Sequence, residues 1–362
     1  MNNDEFKYRK YAAFIDRQTE LQHLRNYIDE EPESILFIHG PKSSGKTTLL
    51  YKFLEQIQKE QKLNVKFLDL RETFTNVYED FLKTFFRVET QGEKKKSLTS
   101  NINIGFFKID AALEKKILGK RADPFKVMKA ELLNLTHKGI KPVLIIDELQ
   151  ALDKIYLNND KERQLITALF NFFVAMTKQS HLAHIIIASS DGYFLNTVFN
   201  DSRLKKCSRF YKVDYLDRKD VTEWLLNLEE YSKINAYKLT GKDVEKIWDT
   251  VGGSMWEIQE ILAELFDKPI NDVLSLYKKK IKGMIEYYIG MDMRKEKILQ
   301  VFLKKQAAHI KDFLVQEIAV GELENLLQDM VRSNILYFDP TEAIYYPQGK
   351  SYQWGIRLYF GH

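Results

Sequence analysis

The residues with the clearest chemical signal lie in one short stretch. Residues 35–50 read ILFIHGPKSSGKTTLL, an apolar run followed by a loop with two glycines and then Lys and Thr. Residues 40–47 match the pattern G-x-x-x-x-G-K-[ST]. Glycine lets a backbone wrap around a phosphate with its N–H groups pointing inward, and the following helix adds the positive end of its dipole. The pattern therefore predicts a loop that binds the phosphates of a nucleoside triphosphate.

The positions of this loop have distinct expected roles. Lys46 is expected to reach the β- and γ-phosphates, and the Thr47 hydroxyl to coordinate Mg²⁺. The expected ligands are ATP or ADP together with Mg²⁺. The residues expected to contact the nucleotide are Gly40, Pro41, Lys42, Ser43, Ser44, Gly45, Lys46, Thr47 and Thr48.

An acidic pair follows a second apolar run about 100 residues later. Residues 143–148 read VLIIDE, which predicts a buried strand that ends in two carboxylates. Asp147 is expected to hold Mg²⁺ through water, and Glu148 to polarise the attacking water. Such a pair after a strand is common by itself, but together with the loop it favours hydrolysis of the nucleotide over storage.

Apolar runs and amphipathic stretches alternate through the first half of the chain. Strands are predicted at 35–39, 65–70, 143–147, 183–189 and 208–213, and helices at 47–61, 73–88, 124–138 and 160–178. Near-continuous apolar strands that alternate with helices are typical of a parallel sheet covered on both faces. We therefore predict an α/β core with five parallel strands, which occupies residues 1–215.

The second half has a different pattern. Helices dominate from residue 217 to about 283, which predicts a small helical lid domain at 216–283. Three short helices and a hairpin follow after about residue 295, and this order predicts a winged-helix domain at 284–362. The segment 88–122 is read as an insertion in the core. It carries eight Lys or Arg and four Asp or Glu, so it is either a surface for an acidic partner or a solubilising loop.

Composition sets further limits on the class of protein. The chain has 362 residues, of which 44% are hydrophobic and 29% charged, with a net charge of +4. This balance is typical of soluble globular proteins, and no apolar run is long enough to span a bilayer. The single cysteine, Cys207, has no partner in the chain for a disulfide, so we expect a cytoplasmic protein without membrane contact.

The motifs resemble those of the archaeal-type ATPase family, which lies near the AAA+ and STAND groups of P-loop ATPases. Besides the loop and the acidic pair, residues 14–21 read FIDRQTEL, and Phe14, Arg17, Glu20 and Leu21 match a box of this family. An ordinary helix start would explain this box equally well by itself. The resemblance implies that the box packs near the adenine, so Arg17 is expected to contribute to nucleotide binding.

The resemblance also implies two further groups at the site. Residues 184–190, HIIIASS, resemble a strand whose polar end senses the γ-phosphate, so Ser189 or Ser190 is the expected sensor. Arg209 takes the position of an arginine that stabilises charge on the transferred phosphoryl group, with Arg203 as the alternative. Either arginine could instead form an ordinary surface salt bridge.

The predicted lid departs from the family pattern. Many members have Gly-Gly-x-Pro there, whereas residues 252–256 read GGSMW. The resemblance therefore does not establish a contact between lid and nucleotide, and Met255 and Trp256 are expected to pack inside the lid.

The predicted tail does not favour DNA as a partner. Relatives use a winged helix to grip DNA, but the helix at 321–333 carries Glu322, Glu324 and Asp329 against Arg332. This net negative charge would repel a polyanion. A protein partner is favoured over DNA, and the four aromatic residues assigned to the wing are expected in protein contacts or packing: Tyr345, Tyr346, Tyr352 and Trp354.

The expected activity is Mg²⁺-dependent ATP hydrolysis that couples nucleotide state to conformational change and partner interaction, and the sequence is compatible with an oligomer. A slow nucleotide-gated switch or scaffold, and a DNA-binding initiator or remodelling ATPase, are the alternatives. A kinase-like phosphotransferase fits less well, because no acceptor-site signature is evident. The preference for adenine over guanine rests on the resemblance.

Overall fold

The computed structural model describes residues 14–15, 17–72, 75–88, 102–104, 107–119, 121–157, 163–314 and 318–361. The chain divides into two compact units. The sheet unit comprises residues 19–39 and 46–212. The C-terminal unit comprises residues up to Gln18, the loop Gly40–Gly45, and residues 213 onward.

The sheet unit contains eight strands and seven α-helices within its described residues. The strands are β1 (Ile35–His39), β2 (Leu63–Asp69), β3 (Phe86–Val88), β4 (Ile102–Ile104), β5 (Phe107–Ile109), β6 (Lys141–Asp147), β7 (His184–Ala188) and β8 (Ser208–Lys212). The helices are α1 (Gln18–Asp29), α2 (Lys46–Ile57), α3 (Tyr78–Phe85), α4 (Ala111–Leu118), α5 (Pro124–His137), α6 (Leu165–Val174) and α7 (Gly192–Asn200).

The main sheet is parallel and has the strand order β4-β2-β6-β7-β1-β8. All five predicted strands are present, so the prediction of an AAA+-like parallel core is confirmed. β4 adds a sixth strand at one edge, and β3 pairs with β5 apart from the main sheet. The described parts of the segment 88–122 therefore form β4, β5 and α4, whereas residues 89–101, 105–106 and 120 lie outside the described residues.

Strand β1 and helix α2 form near the positions that the sequence predicts because their apolar side chains are buried. All five residues of β1 are buried, as expected for a central strand with helices on both faces. The next helix buries the predicted apolar face against the sheet, and each such side chain contributes about 1.5–3 kcal/mol when it leaves water. This face consists of Leu49, Leu50, Phe53, Leu54 and Ile57.

Three predicted helices have clearly different bounds in the structure. The helix expected at 47–61 is α2, which ends at Ile57. The helix expected at 73–88 is limited to α3, and residues 86–88 form β3 instead. The helix expected at 160–178 is α6 followed by a π-helical turn, Ala175–Gln179. Residues 73–74 and 158–162 lie outside the described residues.

The C-terminal unit is mainly helical. Its helices are α8 (Arg218–Leu226), α9 (Leu228–Ser232), α10 (Gly241–Val251), α11 (Met255–Glu264), α12 (Ile270–Gly290), α13 (Arg294–Lys304), α14 (Ile310–Phe313), α15 (Val320–Arg332) and α16 (Gly349–Tyr359). Its strands are β9 (Ala308–His309), β10 (Leu336–Asp339) and β11 (Ile344–Pro347), which form an antiparallel sheet of order β10-β11-β9.

Helices α13, α14 and α15 and this small sheet follow in the order of a winged helix, which confirms the predicted C-terminal fold. The terminal helix α16 is an addition that the sequence interpretation missed. It carries Tyr352 and Trp354, which were assigned to the wing, whereas Tyr345 and Tyr346 do lie in β11. The indole nitrogen of Trp354 donates to the carbonyl oxygen of Thr250, so this side chain packs within the unit.

The division into three domains stays a prediction. The boundary proposed at residue 283 falls inside the 21-residue helix α12, and the lid and winged-helix segments belong to the same compact unit. No helix within the described residues is long and apolar enough to cross a membrane.

Candidate active site

Three neighbouring strands of the sheet unit end at the same edge. In the parallel register, Asp69 at the end of β2 lies opposite Asp147 at the end of β6, and Asp147 lies opposite Ala188 at the end of β7. Polar residues that follow these strands are therefore brought together although they are far apart in sequence. This edge carries the acidic pair that the sequence predicted.

Asp147 is fully buried and bound to the first turn of α2. The Thr47 hydroxyl donates to Asp147 Oδ2 over 2.7 Å. The other oxygen, Oδ1, is buried without a hydrogen-bond partner among the described residues. Burial raises the pKa of Asp147 to about 6, although the Thr47 hydrogen bond and the charge of Arg71 act to lower it. A buried carboxylate with a free oxygen beside a hydroxyl suits a hard cation such as Mg²⁺.

Glu148 directs its carboxylate through an unusual backbone conformation. Its φ is +61°, in the left-handed region that non-glycine residues rarely adopt. The backbone N–H of Glu148 donates to the carbonyl oxygen of Ala188 over 2.8 Å. The side-chain amide of Gln150 donates to Glu148 Oε2, and the Ser190 hydroxyl donates to Oε1 over 3.4 Å. These contacts hold the carboxylate in one orientation.

Ser189 acts on Glu148 through Gln150. The buried Ser189 hydroxyl donates to Gln150 Oε1 over 2.8 Å and accepts from the backbone N–H of Asp191. The structure thus places both predicted sensor serines at the site, where Ser190 contacts Glu148 directly and Ser189 orients the amide that does so. Gln150 was not identified from the sequence.

Arg71 lies among the carboxylates of this edge. Its Nη2 donates to Asp147 Oδ2 over 2.6 Å and also to Thr47 Oγ1. Its Nη1 is 3.7 Å from Glu148 Oε1. Burial acts to lower the pKa of Arg71, but the charges of Asp147, Glu148 and Asp69 outweigh it and raise the pKa. The guanidinium is therefore a firmly charged partner for the buried acids.

Lys46, also in the sheet unit, is buried at the start of α2, and Thr47 and Thr48 are half-buried in the same turn. The preceding residues, Gly40–Gly45, belong to the C-terminal unit. Gly40 has φ of +148°, and a Cβ there would lie only 2.0 Å from the carbonyl oxygen of Val213, so a side chain is excluded. The glycine is thus required by close backbone packing as well as by the loop conformation.

Two side chains of the C-terminal unit support this loop. Arg17 is buried, and its Nη2 donates to the carbonyl oxygens of Ser44 over 3.0 Å and Asp214 over 2.7 Å. The Tyr215 hydroxyl donates to the carbonyl oxygen of Lys42 over 3.0 Å. Both contacts occupy carbonyl groups of the loop, and the backbone N–H of Ser44 donates to the carbonyl oxygen of Pro41 over 3.3 Å.

The paired glycines of the predicted lid are explained by backbone contact. A Cβ on Gly253 would lie 1.8 Å from the carbonyl oxygen of Leu216, and Gly252 has φ of +61°. Met255 follows, and its sulfur is 3.5 Å from the position of a Cβ on Gly45, so Met255 faces the loop. Trp256, by contrast, is 51% exposed, and the expectation that it packs inside the lid is wrong.

Comparison with known proteins identifies the family of this chain. Residues 14–261 match the family of ATPase domains found predominantly in Archaea. The chain belongs to this archaeal ATPase family. Its suspected membership, inferred from the loop and the acidic pair, is thereby confirmed.

Relatives extend the similarity over most of the chain. An uncharacterized ATP-binding protein of Methanocaldococcus jannaschii is 32% identical over 93% of this chain and 92% of its own length. One from Pyrococcus abyssi is 32% identical over 95% and 97%, respectively. Among solved structures, the Walker-type ATPase PABY2304 of Pyrococcus abyssi has a TM-score of 0.64 at 18% identity, and covers 95% of this chain and 96% of its own. This structural likeness shows that the fold is shared.

The two candidate arginines of this archaeal ATPase lie away from the carboxylates. Arg209 is paired with Leu36 in the β1–β8 register, near the start of β1, and its Nη1 is 2.6 Å from Glu30 Oε2. Arg203 pairs with Asp201. Within the described residues neither arginine contacts the acidic edge, so a role as finger stays a prediction that would require a neighbouring molecule or a large movement.

The sequence interpretation missed four residues of the archaeal ATPase site. Asp69 lies near the end of a predicted strand and Arg71 follows that strand, and a comparison of strand ends could have identified them, because β2 neighbours β6. Gln150 lies two residues after Glu148, and only its hydrogen bonds reveal its role. Tyr215 gives no signal in sequence, because its contact with Lys42 spans 173 residues.

Proposed function

We propose that this archaeal ATPase binds ATP with Mg²⁺ and hydrolyses it. The observation that carries the proposal is the pair formed by Thr47 and Asp147. A hydroxyl in the first turn of the helix after the phosphate loop contacts a fully buried carboxylate that has one free oxygen. Structural packing alone gives no reason to bury a carboxylate oxygen without a partner.

Different residues of the site would bind the phosphates and the metal. The backbone N–H groups of the loop residues other than Pro41, together with the Lys46 ammonium, would hold the phosphates, while Thr47 and Asp147 would hold Mg²⁺. When bound, Mg²⁺ would neutralise charge on the phosphate oxygens. Arg17 and Tyr215 would keep the loop in its binding conformation through the carbonyl groups of Ser44 and Lys42.

Glu148 would orient the attacking water. A carboxylate next to the phosphate site can accept a hydrogen bond from water and direct a lone pair along the line of attack. Gln150 and Ser190 fix its direction, and Ser189 fixes Gln150. Ser190 contacts Glu148 directly and Ser189 contacts it through Gln150, which gives a route by which the serines could respond to the γ-phosphate.

We infer that the nucleotide state controls contact with a protein partner. Two basic residues of α13 are already paired with acids: Arg294 with Asp292 and Glu322, and Lys295 with Asp329. Exposed apolar side chains lie on α12 at Leu276, Met284 and Tyr287, and the exposed Met291 follows directly after this helix. Exposed apolar side chains suit a protein partner better than a polyanion.

The proposal is tested with Glu148→Gln. This variant keeps the shape of the side chain and one acceptor oxygen, but it replaces the other oxygen by a donor nitrogen and removes the charge. We expect ATP affinity within about threefold of the wild type and turnover reduced by about a hundredfold or more, as is usual when a group that activates the nucleophile is lost. ATP binding is measured by calorimetry, and phosphate release is followed over time in the presence of Mg²⁺.

Glu55→Gln is the matched control, because Glu55 is an exposed carboxylate of α2 that pairs with Lys52. It should retain both binding and turnover. Equal turnover in Glu148→Gln and the wild type would overturn the assignment of Glu148. ATP binding without turnover in the wild type would instead favour a nucleotide-gated switch.

A further inference from the structure

The guanidinium of Arg71 contacts the same two residues that are assigned to Mg²⁺. A single nitrogen, Nη2, donates both to the Thr47 hydroxyl oxygen and to Asp147 Oδ2. The Thr47 hydroxyl in turn donates its own proton to Asp147. Within this cluster the guanidinium therefore places a positive charge beside Thr47 Oγ1 and Asp147 Oδ2, as a bound cation would.

Arg71 is held close to this position but is free to leave it. Its backbone N–H donates to Asp69 Oδ1 over 3.0 Å, which fixes the start of the side chain. The side chain itself is 50% exposed, whereas that of Asp147 is fully buried. A long side chain with a fixed base and an exposed end can rotate into solvent without disturbing the sheet.

The two cations would compete for one place. Thr47 and Asp147 would hold Mg²⁺ beside the Arg71 nitrogen that donates to both side chains, while Asp147 Oδ1 has no hydrogen-bond partner among the described residues. Two positive charges at one partly buried carboxylate repel each other. Binding of the metal thus favours displacement of the guanidinium.

We propose that Arg71 is a built-in competitor of Mg²⁺ that sets the metal concentration at which this ATPase becomes loaded. The inference rests on the proposed function, because it assumes that Thr47 and Asp147 hold the metal. Arg71 is a positioning residue in this role. It stabilises the buried acids until Mg²⁺ replaces it, so that a metal-loaded site and an arginine-filled site are alternative states.

The test compares wild type with Arg71→Gln over a series of Mg²⁺ concentrations. ATP affinity is measured by calorimetry, and the effect of Mg²⁺ alone on thermal unfolding is measured without nucleotide. Loss of the competing charge should lower the Mg²⁺ concentration for the half-maximal effect by about tenfold, the size of effect that a nearby charge has on proton binding. Arg71→Lys keeps the charge and should stay closer to the wild type.

Arg25→Gln is the control, because Arg25 also pairs with two carboxylates, Asp29 and Glu60, but lies in α1. It should leave the Mg²⁺ dependence unchanged. If Mg²⁺ acts on wild type and Arg71→Gln at the same concentration, or acts on the variant only at a higher one, the role of Arg71 is refuted. If Mg²⁺ changes neither ATP affinity nor unfolding in any of these proteins, the proposed function itself fails.

Discussion

The backbone conformation and the side-chain contacts of Glu148 fix the orientation of its carboxylate. The left-handed backbone conformation at a residue with a side chain costs roughly 1–3 kcal/mol, and the surrounding structure must supply that energy. Here the backbone hydrogen bond to Ala188 and the side-chain contacts of Gln150 and Ser190 do so. The left-handed conformation at Glu148 turns its carboxylate away from the direction of β6. The carboxylates of Asp147 and Glu148 therefore lie at different positions.

His184, also in the sheet unit, should make the stability of the protein depend on pH. His184 is 1% exposed, and neither ring nitrogen has a hydrogen-bond partner among the described residues. Burial, helped by the charge of Lys141, lowers its pKa from 6.5 to about 4. The folded protein therefore keeps His184 neutral over a pH range in which the unfolded chain binds a proton.

The sign follows from proton binding. Because the unfolded state takes up the proton first, the free energy of unfolding falls as pH decreases from about 6.5 towards about 4, with a total loss of about 3 kcal/mol from this group. We expect His184→Phe to flatten this part of the pH profile of urea denaturation. His137→Gln alters an exposed histidine and should keep the wild-type slope. An unchanged slope in His184→Phe would refute the prediction.

At the scale of elements, the phosphate loop depends on neighbours in its own unit. Arg17 and Tyr215 bind its carbonyl groups, and Gly40 lies against the carbonyl oxygen of Val213. Tyr215 also accepts a hydrogen bond from Gln348 over 3.3 Å, just before α16. The loop is therefore linked through one tyrosine to the C-terminal end of the winged-helix segment.

Tyr215→Phe tests this support. The variant removes one hydroxyl and leaves the carbonyl of Lys42 without that donor, so we expect a loss of about 1 kcal/mol in stability. ATP affinity should fall by about fivefold, because the same energy is needed to hold the loop in its binding conformation. Calorimetry and urea denaturation measure the two effects.

Tyr231→Phe is the matched control, because its hydroxyl binds Glu223 on an exposed surface of the same unit. It should leave ATP affinity unchanged. Equal ATP affinity in Tyr215→Phe and the wild type would show that the loop keeps its conformation without this contact.

At the scale of the whole molecule, charge decides which partner is favoured. The net charge is only +4, and the helix at the recognition position, α15, carries Glu322, Glu324 and Asp329. Two of these acids are paired with α13, so they also occupy basic residues that might otherwise reach phosphates. Electrostatic attraction to nucleic acid should therefore be weak.

We expect binding to duplex DNA no tighter than non-specific association, with a dissociation constant of about 1 µM or weaker at about 0.15 M salt. ATP turnover should be insensitive to added DNA. Fluorescence anisotropy of a labelled duplex, repeated over a range of salt concentrations with and without ATP, measures this. Nanomolar binding with a steep salt dependence would favour the DNA-remodelling alternative over a protein-directed ATPase.

The sequence by itself determined the local features of this protein. The phosphate loop and the strand that ends in Asp147 and Glu148 are set by residues adjacent in the chain, so their types and spacing were sufficient to predict them. The five parallel strands and the winged helix were also predictable, because apolar periodicity reflects which side chains must be buried. Family membership followed from the same local motifs.

Tertiary structure alone decided which distant residues meet. Arg71 and Gln150 acquire their roles from strand order and hydrogen bonds, and Tyr215 acquires its role from a contact across 173 residues. Strand register likewise puts Arg209 near the start of β1, although its place in the sequence resembled that of a catalytic arginine. Short-range patterns carry no information about register or side-chain direction, because these depend on the packing of the whole unit.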